Sequence, residues 1–573
     1  MMDIELVKQF FINIFSFDER YPLLFTQFYF WAFFAVVFAG FCLFKSKRLL
    51  RNSYLFFMSV LFYYKTSGLF VLILIFSTIF GFFVGKGIDK TDKAGRRKFL
   101  LTVGVVVNLF ILFYFKYAYF FTDVYNSLFH SKIEVVNHLA KWANEWTDSN
   151  RFDASKILLP VGISFYTFQN ISYLVDVYRC QVRAVTNVLD FGFYTTFFPQ
   201  LVAGPIIRAN QFVPQLYKPF FLSRRQFGMA VFWIMNGLLK KIIMSDYLAV
   251  NFVDRVFNNP TMYTGFENLM ALFTYSLQVY ADFSGYTDIA IGVAMLMGFY
   301  LPINFNSPYK AADPGDFWKR WHISLSNWLK DYLYIPMGGN RKGKVRTQIN
   351  LMITMLLGGW WHGASWNFVI WGGLNGIGIL IYKWWRNLTF LKKTSWTFAV
   401  FVVFAVFDYL YALPILNIAV VWSGLVFMGT LMAAVRECFR RGRPVQWLGR
   451  SWAILQTFVF ISFTRLFFRS GSNLDPAEAN EVAWNTAKSM VGQIGGPWRV
   501  DLIPQILYEY RFVFIMFVVG MVIHWLPIRF KRWYRLNFAQ MPLWLMALAL
   551  CVCVFVIYQF ITADLQPFIY FQF

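Results

Sequence analysis

Of the five histidines in the 573-residue chain, His322 and His362 occupy the sequence contexts best suited to moving a proton. His322 lies in Trp-Lys-Arg-Trp-His-Ile-Ser-Leu-Ser-Asn-Trp at 318–328, a run that mixes charge with tryptophan. On a continuous helix Trp318 and His322, and less closely Trp328, would share a side. His362 lies in Gly-Gly-Trp-Trp-His-Gly-Ala-Ser-Trp at 358–366, directly after the apolar run 349–357. Small residues around it admit a backbone or a substrate, and tryptophans wall the position. A neutral imidazole near its ordinary pKa accepts the proton of an incoming hydroxyl at physiological pH, so general-base chemistry suits both residues. The competing account of His322 is an amphipathic interfacial helix with an incidental histidine, and that of His362 is a packed histidine bonded to a neighbouring helix. Two histidines in one apolar region favour chemistry.

Other chemistries fit less well. The two histidines have no Cys, His-x-x-Glu or His-x-x-x-His partner, which argues against a metal site. Ser324 and Ser326 lie near His322, but no Gly-x-Ser-x-Gly elbow presents either as a nucleophile. Cys42, Cys180, Cys438, Cys551 and Cys553 form no redox or metal pattern. His130 and His138 border a polar loop, and His524 precedes Trp525 and Pro527 at the expected interface. The basic, Gly-rich loop 338–346 is not a Walker pattern and reads as a positive-inside loop.

The elements that must position these residues are membrane helices. Hydrophobic residues make up 58% of the chain and charged residues 14%, against about 25% charged in a soluble globule. Its apolar runs are continuous rather than alternating, which excludes a transmembrane barrel. The class is all-α, a polytopic helical membrane protein. The net charge of +24 is spread over short clusters between apolar spans, so it reports orientation in the bilayer and not nucleic-acid binding.

Asp3, Glu5, Asp18 and Glu19 argue against a cleavable signal peptide, leaving 24–44 as the expected first span. The clusters Lys45, Lys47, Arg48, Arg51 and 86–98 are expected on the cytoplasmic side, as are Arg436, Arg440, Arg441, Arg443 and the basic segment 529–535. Residues 130–156 and 470–508, with Asp475 and an amphipathic helix over 476–491, are expected outside. Both termini then lie outside, with ten to twelve crossings. The expected organisation is N-terminal transmembrane helices over 1–157, a polar, broken-helix core over 158–380, and C-terminal helices with an external amphipathic segment over 381–573. Irregular or charged backbone at membrane depth survives only inside protein or along a wet cavity, so the core is where function is expected. No internal repeat supports an inverted-repeat transporter.

The run 318–328, with Asp-Tyr-Leu-Tyr-Ile-Pro-Met-Gly-Gly-Asn-Arg at 331–341 and Trp-Trp-His-Gly-Ala-Ser-Trp at 360–366, closely resembles the membrane-bound O-acyltransferase family. The resemblance is to its bacterial branch, which contains the membrane subunit of alginate O-acetylation and relatives acting on peptidoglycan and other polysaccharides. Further matches are Leu-Pro-Val-Gly-Ile-Ser-Phe-Tyr-Thr-Phe-Gln at 159–169, Phe-Pro-Gln-Leu-Val-Ala-Gly-Pro at 198–205 and Asp-Phe-Ser-Gly-Tyr-Thr-Asp-Ile-Ala at 282–290. The resemblance implies transfer of an acyl group, acetyl from acetyl-CoA or another acyl thioester, to a hydroxyl, with no resident cofactor. It places His362 at the family's near-invariant histidine, as general base, and His322 at its second polar catalytic position, positioning or stabilising the reacting centre, with the reverse assignment as the alternative. Trp318, Trp321 and Trp361 become candidate substrate-binding walls. Asp282, Asp288, Asn304 and Asn306 become buried-polar candidates for lining the path, each with packing or capping as the alternative. The implied setting is the bacterial cytoplasmic membrane, with an exported polysaccharide as acceptor and a separate SGNH-type acyltransferase or glycan-synthesis protein as partner. A lipid or protein acceptor, and a non-enzymatic transporter with a histidine relay, remain the alternatives.

Overall fold

In the computed structural model the described residues are 15, 23–148, 153–201, 204–438, 446–469, 476–560 and 568. The N-terminal acids at 3, 5, 18 and 19, the arginines at 440, 441 and 443, and Asp475 lie outside them. Every regular element among the described residues is helical. Seven helical runs are long and apolar enough to cross a membrane: Arg48–Lys90, Ala94–Phe129, Arg224–Asn258, Phe390–Tyr411, Pro414–Glu437, Trp447–Arg469 and Leu543–Phe560. Val500–Glu509 and Arg511–Trp525, bent by 81°, make an eighth if they count as one span. The expected ten to twelve included shorter or more polar stretches, such as Phe28–Phe44 with 17 residues. The chain is a multi-span, all-α membrane protein.

The chain divides into two compact units, one of residues 1–241, 283–304 and 529–573, the other of 242–282 and 305–528. The first unit is built on phenylalanine: Phe30, Phe33, Phe62 and Phe198 pack with ring centroids 5.5–6.4 Å apart. Helix Ile163–Tyr178 is buried along nearly its whole length, and its Asn170 donates to the Ser77 hydroxyl at 2.7 Å. Arg51, one of the clustered cations expected on the cytoplasmic side, belongs to helix Arg48–Ser67. It is buried and donates to the Leu216 and Lys218 carbonyls at 2.7 and 3.0 Å, while its neighbour Asn52 donates to Asp190 at 2.8 Å. Those carbonyls replace water for the guanidinium, which lets a cation stay inside.

The second unit holds both candidate histidines. Its central hairpin is Lys344–His362 followed by Trp366–Trp385. Glycines set the separation of these two helices. A Cβ on Gly372 would stand 2.4 Å from the Met355 carbonyl oxygen, and one on Gly359 would stand 2.4 Å from that of Phe368. Helix Pro476–Gly495 carries the amphipathic pattern expected over 476–491: Ala479, Ala483, Ala487, Met490 and Ile494 are buried, while Trp484 is exposed.

Because the atoms facing Gly372 are backbone, a methyl group there has to push the helices apart. Gly372→Ala should lower stability by about 1–3 kcal/mol, read as a lower thermal midpoint of the detergent-solubilised protein. An unchanged midpoint would show that the helices can separate freely.

Candidate active site

His322 is placed by a helix that stops. Asp313 caps helix Pro314–Arg320, accepting the Asp316 amide at 2.8 Å, and Pro314 stands in its first turn. Asp316 pairs with Arg320 at 2.9 Å. The chain then turns extended at Trp321 and left-handed at His322, with φ +44°, before helix Ile323–Leu329 begins. The continuous helix that would align Trp318, His322 and Trp328 is therefore absent. A left-handed non-glycine residue costs energy and persists only where its surroundings hold it. Here the His322 carbonyl accepts the Ser326 amide at 3.0 Å, and the Trp321 amide donates to the Phe317 carbonyl at 2.8 Å. The His322 side chain is fully buried.

His362 is the last residue of Lys344–His362 and is 2% exposed. A Cβ on Gly363, the residue after it, would stand 2.1 Å from the Phe368 ring, so the chain leaves the helix pressed against that ring. The following turn is tied down by side-chain amides. The Asn367 amide donates to the Phe467 carbonyl at 2.9 Å, and Asn480 accepts the Trp366 amide at 2.7 Å.

Aromatic rings join the two histidines. The Trp361 ring lies 6.1 Å from His322 and 5.0 Å from His362, centroid to centroid. His362 meets Trp371 at 5.1 Å and Phe468 at 5.3 Å, and Trp318 meets Trp371 at 5.5 Å. Trp321 stacks on Phe317 at 5.6 Å. All three expected wall tryptophans thus belong to the unit that holds the histidines.

The four polar candidates divide. Asp282 is buried at the chain boundary of the second unit. Asn306 belongs to that unit too, but it is exposed, contrary to its expected place inside. Its backbone exchanges hydrogen bonds with Arg320, the amide donating at 3.0 Å and the carbonyl accepting at 3.3 Å, and this fastens the segment from outside. Asn304 is buried in the first unit. Asp288 is also there, accepting from Lys240 at 2.7 Å and Asn236 at 2.6 Å, a satisfied clamp within that unit. Sequence reasoning passed over Trp371, Phe468 and Arg465. The available signal for Arg465 was a cation inside the apolar end of the 447–469 span.

Burial pushes the His322 imidazole down to about 3. The folded chain holds this ring neutral, whereas the unfolded chain protonates it near pH 6.5. The associated stability is intact above about pH 6.5 and is lost as pH falls from there towards 3, with about 2 kcal/mol gone at pH 5. Thermal midpoints between pH 7 and 5 should fall further for the wild type than for His322→Asn, a non-titrating variant whose side chain tolerates the left-handed backbone. Parallel curves would mean that His322 titrates normally in the fold.

Residues 57–423 match the family model described as MBOAT, membrane-bound O-acyltransferase family. The chain is 33% identical over 407 residues to the peptidoglycan O-acetyltransferase of Helicobacter pylori, covering 66% of this chain and 73% of that relative. It is 41% identical over 342 residues to the "Probable alginate O-acetylase AlgI" of Azotobacter vinelandii, covering 59% of this chain and 64% of that relative. A more distant match is the teichoic acid D-alanyltransferase of Streptococcus thermophilus, 30% identical over 247 residues, covering 41% of this chain and 58% of that relative. The chain thus spans less than two-thirds of the alginate and teichoic acid relatives' own lengths. The family match takes in both buried histidines and the turns that hold them: the chain belongs to the membrane-bound O-acyltransferase family.

Proposed function

We propose that the protein transfers an acyl group, acetyl in our reading, from a cytoplasmic thioester donor to hydroxyls of an exported polysaccharide, directly or through an extracytoplasmic partner. The observation that carries the proposal is the pair of buried imidazoles in contact with one indole, each at a helix break inside a membrane protein of this family. The relatives' names, peptidoglycan O-acetyltransferase and alginate O-acetylase, support acetyl as the group and a glycan as the acceptor.

In the reaction, the acceptor hydroxyl oxygen attacks the thioester carbonyl, the C–S bond breaks, and the ester and a free thiol result. His362 takes the hydroxyl proton as the new C–O bond forms, and the departing thiolate recovers a proton from it. His322, neutral and fixed by its backbone turn, orients the reacting oxygen; the opposite assignment of the two roles uses the same balance. Trp318, Trp321 and Trp361 exclude water, which suppresses hydrolysis of the donor. Donor and acceptor occupy opposite sides of the membrane, and the site between them is reached from both. The cytoplasmic face carries the basic clusters, both termini face outward, and an SGNH-type or glycan-synthesis protein completes delivery.

Purified protein in nanodiscs should release coenzyme A from labelled acetyl-CoA and label a polysaccharide acceptor. His362→Ala should cut transfer by about 10²- to 10⁴-fold without lowering the thermal midpoint in proportion. Full activity in both His362→Ala and His322→Asn would remove these residues from the chemistry. Labelling of lipid or protein in place of glycan would change the acceptor class.

A further inference from the structure

The apolar span Trp447–Arg469 carries a cation that the mechanism above does not use. Arg465 is 3% exposed and stands between helices Gln446–Thr464 and Leu466–Arg469. Its guanidinium lies 4.4 Å from the centroid of the Trp321 ring, the residue before His322. Along the backbone, the Phe468 amide donates to the Arg465 carbonyl at 3.0 Å, and the Phe468 ring packs on His362. One residue therefore links Arg465 to each histidine.

What this arginine lacks is an anion. Its Nε is buried with no acceptor, and among the described residues no carboxylate forms an ion pair with it. Arg469, four residues on, pairs with Asp254 at 2.5 Å. Tyr275 and Tyr309 lie within electrostatic reach of Arg465, and the Tyr275 hydroxyl is also buried without a partner. Phenols are neutral at physiological pH, and the Asp254 and Asp282 carboxylates, which act on Tyr275, form no ion pair with Arg465. A buried, unpaired cation opposes folding, and the stacking on Trp321 offsets only part of that cost. A membrane-buried charge of this kind marks a functional position.

We propose that Arg465, stacked on Trp321, is the docking point for an anionic oxygen group of a substrate. The planar guanidinium fork matches phosphate and carboxylate alike, with two parallel N–H donors. The acyl-transfer reading supplies two sources of such a group, the phosphates of a coenzyme A thioester and the carboxylates of an acidic glycan. The proposal rests on that reading for the choice between these sources; the buried unpaired cation stands without it.

The test uses the full chain in nanodiscs, as wild type, Arg465→Met and Arg465→Lys, titrated calorimetrically with coenzyme A and separately with a uronate oligosaccharide. Arg465→Met should weaken one of the two by about 10- to 100-fold, and Arg465→Lys should recover part of the loss. Weakened coenzyme A binding assigns the group to the donor, and weakened oligosaccharide binding assigns it to the acceptor. Without ligand, Arg465→Met should melt no lower than the wild type, because a buried unpaired charge has been removed. Equal affinities in wild type and Arg465→Met overturn the proposal, as does a wild type that binds neither probe. A lower melting point with Arg465→Lys no better than Arg465→Met also overturns it, since the residue is then structural. Selective loss of binding in a protein that transfers no acetyl group would keep the anion site and refute the acyl-transfer reading instead.

Discussion

A backbone inside an apolar medium has to bond to itself, and every interruption of a helix there must be repaired by protein. In the second unit the interruptions fall where the chemically capable side chains are. His322 occupies the gap between two seven-residue helices, His362 is a terminal helical residue, and Arg465 stands between two further helices. The repairs are specific: the Ser326 amide closes on His322, and the Asn367 side chain satisfies the Phe467 carbonyl. A helix interior displays side chains at fixed angles around a closed backbone. At an end the chain can turn a side chain inward along a direction no continuous helix provides.

Close approach of backbones is the second half of this arrangement. Gly359 and Gly372 let Lys344–His362 and Trp366–Trp385 meet main chain to main chain, so the end of the first helix is fixed by the second. Around that contact the rings of Trp318, Trp361, Trp371 and Phe468 fill space with stiff, few-rotamer groups. The histidines are thereby enclosed by rings of fixed shape. Such a setting keeps the His322 imidazole neutral.

Much of this was legible in the sequence, for identifiable reasons. Composition and continuous apolar runs specify membrane helices because lipid admits few alternatives. His322 and His362 stand out because an ionisable residue in an apolar context has a cost that chance seldom maintains. The break at Trp321 was not legible: no Pro or Gly interrupts 316–329, and the spacing of Trp318 and His322 suits an unbroken helix. The interior places of Arg51 and Arg465 were hidden for a different reason. Charge clusters report the sides of a bilayer, whereas burial of one arginine depends on carbonyls or rings brought from more than a hundred residues away. Asn306 was misjudged because its role is played by its backbone, and side-chain type carries no record of that.

The interleaved course of the chain has a consequence for biogenesis. The first unit opens with residues 1–241 but includes 529–573, so the whole stretch 305–528 is synthesised before its last piece exists. The contacts that wait are intimate: Gly228 lies against the Ala539 backbone, Phe232 against Tyr534 and Phe538, and Trp233 beneath Arg535. Until the ribosome has delivered that segment, the helix Arg224–Leu238 presents an unfilled face to lipid or to insertion factors. A chain stopped short near residue 528 would therefore lose more than its own final helices, because it would leave the earliest-made unit permanently open.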